Sequence, residues 1–185
     1  QFGDGGAHLN AGRTGGVLSA QPLASRRKFG ARLQHDLRQA TDEDVGGILA
    51  LIAPLEADGT LVRRGRERLE MEIDRFAVLD LDGVIVGCAA LYPISAARGE
   101  PKSAELACLA VMPEYQRAGY GDQLRKHIEA RAARMKLKRL FVLTTRTAHW
   151  FVERGFAETT VDALPAAKRE LYNLQRRSKV LVKAL

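Results

Sequence analysis

A carboxylate, a glycine turn and a pair of arginines are the residues of this chain whose kinds and spacing could do chemistry. Glu105 stands at the head of an apolar run, Glu105-Leu106-Ala107-Cys108-Leu109-Ala110-Val111, where an unpaired charge costs on the order of several kcal/mol. A carboxylate placed so is expected to be paired or functional. An exposed glutamate at a strand end is the plain structural reading. Downstream, Gln116-Arg117-Ala118-Gly119-Tyr120-Gly121 carries two glycines that remove side chains which would hold a ligand off the backbone. A helix starting there would turn its first N–H groups and the positive end of its dipole outward, a phosphate site made of backbone with Arg117 adding charge at the rim. Arg63-Arg64 either faces water or clamps a carboxylate from a loop.

The elements that must position these residues follow from periodicity. Leu37–Ala40 reads as a strand, and Thr41 with Asp44 three residues on resembles a capping box opening a helix. That helix has the stripe Val45, Ile48, Leu49 and Ile52, and Pro54 should end it. A second helix with Leu69, Ile73 and Phe76 facing inward leads to strands Phe76–Asp80 and Val84–Tyr92, joined by the hairpin signal Asp82-Gly83. After the Glu105 strand and the glycine turn, Leu124, Ile128, Ala132 and Met135 form the apolar stripe of a central helix. Arg139–Thr144 is a fifth strand, His149–Glu153 a short helix, Leu164–Gln175 a partly helical crossover and Lys179–Val182 the last strand. The order is β-α-α-β-β-β-α-β-α-β, an α/β (α+β) domain with helices flanking a mixed central sheet.

Composition bounds the rest. The 185 residues suffice for one domain with a real core, and no apolar run is long enough to cross a bilayer. Nothing at the start reads as a signal peptide. Cys88 and Cys108 sit in strand-like runs without metal-ligand spacing, as reduced core residues of a cytoplasmic protein do; Trp150 and Phe151 also read as core. The net charge of +7 suggests nucleic acid, but residues 1–38 hold six basic and two acidic side chains, which leaves +3 for the rest. Residues 1–35, glycine-rich and basic at Arg26-Arg27-Lys28, read as a flexible tail or linker, with a nucleic-acid-binding arm as the alternative. The folded domain is expected over 36–185. The chain begins with Gln1, as a processed or partial chain would.

A Walker loop needs Gly-Lys-Ser/Thr, absent here, and a dinucleotide fingerprint needs a glycine where Leu124 stands. The pattern Gln-x-x-Gly-x-Gly that remains resembles the signature of the GCN5-related N-acetyltransferase (GNAT) superfamily. The segments Pro54-Leu55-Glu56, Leu61–Arg64, Cys88–Tyr92, Glu105–Val111, Leu140–Arg146, Trp150–Phe156, Leu171-Tyr172-Asn173 and Arg176–Leu181 resemble, in order, the acetyltransferase domain of bacterial N-acetylglutamate synthases. The match covers about residues 36–185.

The resemblance implies a GNAT fold and transfer of the acetyl group of acetyl-CoA to the α-amine of L-glutamate, the first step of arginine biosynthesis. It implies that Leu109, Ala110 and Val111 pair with the pantetheine arm and that a backbone N–H near Leu109 polarises the thioester carbonyl. Gln116, Arg117, Ala118, Gly119, Tyr120 and Gly121 would bind the pyrophosphate. Glu105 would be the general base. Many GNAT enzymes carry a tyrosine where this chain has Phe151, so Thr144 is the implied partner of the departing thiolate, with Tyr92 and Tyr172 in reserve. Arg63, Arg176 and Ser178 would hold the glutamate carboxylates, with Arg146, Tyr92 and Cys108 also at the substrate. No metal, nucleic acid or membrane is implied; a homo-oligomer is open to it. Longer synthases carry an amino-acid-kinase-like domain that binds arginine; the resemblance does not extend to it, as expected either of a short stand-alone form or of a chain that has lost its front. The alternatives are a GNAT enzyme for another small amine or a peptide N-terminus, and a non-catalytic acyl-CoA-binding regulatory module.

Overall fold

Seven strands lie in one sheet in the order β1-β2-β3-β4-β5-β7-β6. They come from a computed structural model that describes residues 35–172 and 176–185. Apart from His35, the expected tail over 1–35 lies outside the described residues, as does Asn173. The strands are β1 (His35–Gln39), β2 (Phe76–Leu81), β3 (Val84–Ile94), β4 (Ser103–Val111), β5 (Arg139–Thr144), β6 (Ala157–Thr159) and β7 (Lys179–Ala184). The helices are α1 (Val45–Ala57), α2 (Arg66–Met71), α3 (Tyr120–Arg134), α4 (Ala148–Val152) and α5 (Ala166–Arg169). Every pairing is antiparallel except β4 with β5. A parallel pair needs a long crossover, and α3 supplies it.

The sheet's centre is apolar on both faces because helices cover both. Leu124, Ile128 and Ala132 of α3, all fully buried, pack with Phe151 on Ala77, Ala89, Leu91, Leu106, Leu140 and Val142. Val45, Ile48, Leu51 and Ile52 of α1 and Leu69 of α2 cover the other face over Phe76, Val78, Cys88, Ala90, Cys108 and Ala110. Residues 88–91 alternate between the two cores, as a strand's period of two requires. Burying a Leu or Ile of this kind stabilises the fold by about 1.5–3 kcal/mol each.

The Asp82-Gly83 turn forms as expected, with both residues at positive φ and Leu81 paired to Val84. Four expectations need correction. Pro54 lies inside α1, which continues to Ala57 because Leu51 and Ile52 already anchor its face. The second helix stops at Met71; a 3-10 turn, Ile73–Arg75, follows, so Phe76 faces inward from a strand. Met135 caps α3 and is 43% exposed, outside the stripe. A seventh strand, β6, adds an edge beyond β7; three residues are too short for a pattern.

Candidate active site

Glu105 does not open its strand; it is the third residue of β4, and it marks a fork. On one side it pairs with Tyr92 of β3, on the other with Phe141 of β5. The Glu105–Phe141 pair is the last between β4 and β5. Beyond it β4 stays with β3 while β5 continues beside β7 as far as Thr144 and Lys179. The divergence has a local cause. Register between β3 and β4 slips between Cys88 and Ala90, and Cys108 takes up the extra residue with φ 57°, a left-handed conformation costly for a non-glycine residue. Strain of this kind is held in place by surrounding packing, and Cys108 is buried.

Two adjoining cavities fill the fork. One, about 70 Å³, is lined by Leu106, Ala107, Cys108 and Leu109 on one wall and Val142, Leu143 and Thr144 on the other. The second, about 140 Å³, shares Thr60, Leu61, Ala107, Cys108 and Leu143 with it. Its polar lining includes Arg64, Glu105, Lys168, Tyr172, Arg176 and Ser178, so three cations face one carboxylate. Each arginine is fixed. Arg64 donates from Nε to the Tyr92 hydroxyl (3.3 Å) and from Nη1 to the Val62 carbonyl (3.2 Å), while its own N–H is held by Glu56 (2.9 Å). Arg176 donates to Ser178 Oγ (3.3 Å) and to the Thr60 carbonyl (2.5 Å). The Tyr172 hydroxyl donates to the Ser178 carbonyl at 2.6 Å, closing the wall. Lys168 Nζ lies 2.8 Å from Glu105 Oε2 as an ion pair, off the line a hydrogen bond needs.

At the far end of β4 the glycine turn has the form expected of it. Residues Pro113–Ala118 make a 3-10 turn, Gly119 sits at φ 79°, and α3 begins at Tyr120. The Gln116 side chain donates to the Val111 carbonyl (3.2 Å), which ties the turn to the strand. Within the described residues, the first α3 amide with a backbone acceptor in the preceding turn is that of Gln123, to Gly119; those of Tyr120, Gly121 and Asp122 have none. Asp122 would repel an anion there, but Arg125 (2.9 Å) and Arg154 (2.9 Å) both hold its Oδ1. Arg154 in turn lies 3.9 Å over the Trp150 ring, locking α4 to the start of α3. Arg117 is exposed at the rim.

The structure therefore brings together Glu105, Cys108, Thr144, Arg176 and Ser178 at the fork, along with Leu109, and sets Gln116–Gly121 at the end of the same strand with Ala110 and Val111 between. It does not bring Arg63, Arg146 or Tyr92 into the cavity. Arg63 is exposed and lines only a neighbouring groove with Leu49, Ala53 and Arg66, whereas the buried Arg64 borders both that groove and the cavity. Successive side chains of an extended loop point to opposite sides, so a one-residue choice inverts the outcome. Arg146 reaches instead across to Asp58, donating to its carbonyl (3.0 Å). Tyr92 stands behind Arg64; its hydroxyl donates to Glu72 (2.5 Å), and burial, partly offset by Arg64, pushes its pKa up to about 12. Of the Arg63-Arg64 pair, read together as a possible carboxylate clamp, it is Arg64 that lines the cavity. Lys168 is the cavity cation that sequence reasoning missed: it carries no motif, and Ala166-Ala167-Lys168-Arg169 looks like any solvated helix. Among the described residues there is no cluster of His, Cys, Asp or Glu arranged to hold a metal ion, and no helix long and apolar enough to cross a membrane.

The model of the acetyltransferase (GNAT) family matches residues 39–156, more than half of the chain. The chain belongs to the GNAT acetyltransferase family. The cleft at the fork and the glycine turn thus sit in a GNAT fold. Amino-acid acetyltransferases are similar to it: that of Azotobacter vinelandii is 60% identical over 80% of this chain and 34% of its own length. That of Ectopseudomonas mendocina is 51% identical over 99% of this chain and 42% of its own length. Among solved structures, N-acetylglutamate synthase from Neisseria gonorrhoeae, complexed with coenzyme A and N-acetyl-glutamate, superposes with a TM-score of 0.77. It is 42% identical and is matched over 84% of this chain and 36% of its own. The chain thus spans between about a third and two-fifths of the length of these relatives.

Proposed function

We propose that this GNAT domain transfers the acetyl group of acetyl-CoA to the α-amine of L-glutamate, the entry reaction of arginine biosynthesis, in the cytoplasm. The observation that carries the reading is the place of Glu105: it stands where the strands part, between a cation-lined cavity and the opening that leads along β4 to the glycine turn. The names of the similar proteins point the same way, and the Neisseria synthase was solved with the corresponding product and carrier.

In this reading the facing edges of β4 and β5 beyond Glu105, unpaired among the described residues, receive an extended arm that carries amides of its own. The amides of Tyr120, Gly121 and Asp122 take the diphosphate. A methyl at Gly121 would make only ordinary contacts, 3.6 Å to Trp150 and 3.8 Å to Val111. Packing therefore leaves the choice of glycine to whatever approaches from outside. Arg64 replaces Arg63 as a carboxylate holder beside Arg176 and Ser178, since buried guanidiniums fixed by hydrogen bonds are prepared for bidentate contact. Glu105 removes a proton from the acceptor's ammonium.

Thr144 faces the small cavity at the end of β5. Its Oγ1 accepts from the N–H of Arg146 (3.3 Å) and of Thr147 (3.1 Å). A hydroxyl has two acceptor positions and one hydrogen. With both positions taken, the hydrogen remains to be given, to Thr147 Oγ1 at 2.8 Å or to a departing thiolate. Coenzyme A release across a panel of amino acids tests the reading, with Glu105→Gln beside the parent. The expected outcome is a preference for glutamate and turnover lower by on the order of 100-fold or more in the variant. Equal rates with aspartate, glutamine and glutamate would remove the carboxylate argument and favour another amine.

A further inference from the structure

The three cations of the larger cavity are not equivalent. Arg64 and Arg176 each make two side-chain hydrogen bonds, whereas Lys168, among the described residues, has only its ion pair with Glu105. Glu105 Oε2 is itself enclosed and receives no hydrogen bond from a described residue. The base and the lysine thus hold each other. Together with Leu171 they also line both this cavity and a groove of about 290 Å³ on the other side, which Arg68, Glu72, Arg75 and Tyr92 complete. An acceptor's ammonium must displace a like charge to reach Oε2. The arginines are tethered, while a lysine is a point charge on a flexible four-carbon stem and can change partner.

Charge balance indicates what moves it. A neutral amino acid brings one carboxylate, which a fixed arginine satisfies. A dicarboxylic one brings a second, and Lys168 is the cation free to meet it. We propose that Lys168 is the specificity-determining residue that makes transfer depend on a side-chain carboxylate: it masks Glu105 and releases it when that carboxylate takes the ammonium over. The released Glu105 then accepts one proton from the acceptor's ammonium. The freed lone pair forms the C–N bond, the thioester C–S bond breaks, and the second nitrogen proton passes to the sulfur. This inference rests on the dicarboxylate reading above and deepens it.

The test compares the parent, Lys168→Met, Lys168→Gln and Lys168→Arg with glutamate and with glutamine as acceptors at fixed acetyl-CoA. The ratio of kcat/KM for glutamate over glutamine should fall about 10- to 100-fold in both neutral variants, the loss expected for one charge-assisted contact. Turnover with glutamine should hold or rise, since its base is no longer masked. Lys168→Arg should restore most of the ratio. A drop by the same factor for both acceptors, or an unchanged ratio, would overturn the mask and leave Lys168 a structural residue. If the parent itself acetylates neither acceptor, the dicarboxylate reading fails and takes the mask with it. A parent that prefers glutamate while the neutral variants keep the preference defeats the mask alone.

Discussion

Replacing Thr144 by valine separates the turn its hydroxyl holds from the thiolate role proposed for it. The substitution keeps the branched shape of a strand residue and deletes an oxygen that accepts two backbone N–H groups and bonds Thr147 Oγ1 at 2.8 Å. These bonds close the turn that leads into α4, so this is loss of turn hydrogen bonds at a site water can reach, worth about 1 kcal/mol. In a domain of this size that lowers Tm by roughly 2–4 °C. The proposed catalytic share is larger. A hydrogen bond to a charged group contributes about 1.5–3 kcal/mol, which as lost stabilisation of the leaving thiolate becomes roughly 10- to 150-fold in rate. The assay is kcat/KM for acetyl-CoA, read as thiol release at saturating glutamate, with thermal melts on the same preparations. Thr144→Ser, which keeps the oxygen, should stay within about threefold of the parent on the rate. A Thr144→Val protein that melts a few degrees lower yet turns over at the parent rate would show a turn residue and refute the thiolate role.

Arg64→Lys keeps the charge but loses the fork that bonds Tyr92 and Val62 together; KM for glutamate should rise about tenfold or more, with a smaller change in kcat, in steady-state kinetics. Acid stability should depend on Asp44. The Arg38 guanidinium, 2.7 and 2.9 Å from its two oxygens, holds its pKa below the ordinary 3.8 against an opposing push from burial. A depressed folded pKa means that the ionised carboxylate stabilises the fold above about pH 3.8 and that this is lost as pH falls through the folded value. Asp44→Asn should therefore cost on the order of 2 kcal/mol in urea unfolding at pH 7, with a gap to the parent that closes below pH 4.

Features written in local pattern are legible in the order of the amino acids alone. The Asp82-Gly83 hairpin needs only two residues able to adopt positive φ, and the α3 stripe only a period near 3.6. The glycine turn needs Gly119 in the left-handed region and a helix after it. What could not be read depends on where side chains point when backbone is irregular, or on residues far apart in the chain. Arg63 and Arg64 are indistinguishable in sequence, and a single step along the loop decides which is buried. Lys168 matters only because Glu105, more than sixty residues earlier, lies across from it. The bulge at Cys108 opens the fork, yet a non-glycine residue gives no warning of a positive φ. Glu105 was recognisable as a carboxylate among apolar residues; its place at the last β4–β5 pair was not.

The central claim is that one fork in the sheet seats both the thioester and a dicarboxylic acceptor. A crystal structure of the protein with coenzyme A and glutamate tests it most directly. The expected result is diphosphate oxygens on the amides of Tyr120, Gly121 and Asp122, one glutamate carboxylate on the guanidiniums of Arg64 and Arg176, the other on the Lys168 ammonium, and the amine beside Glu105. A diphosphate seated away from that helix start, or glutamate bound with its carboxylates turned from both arginines, would contradict it.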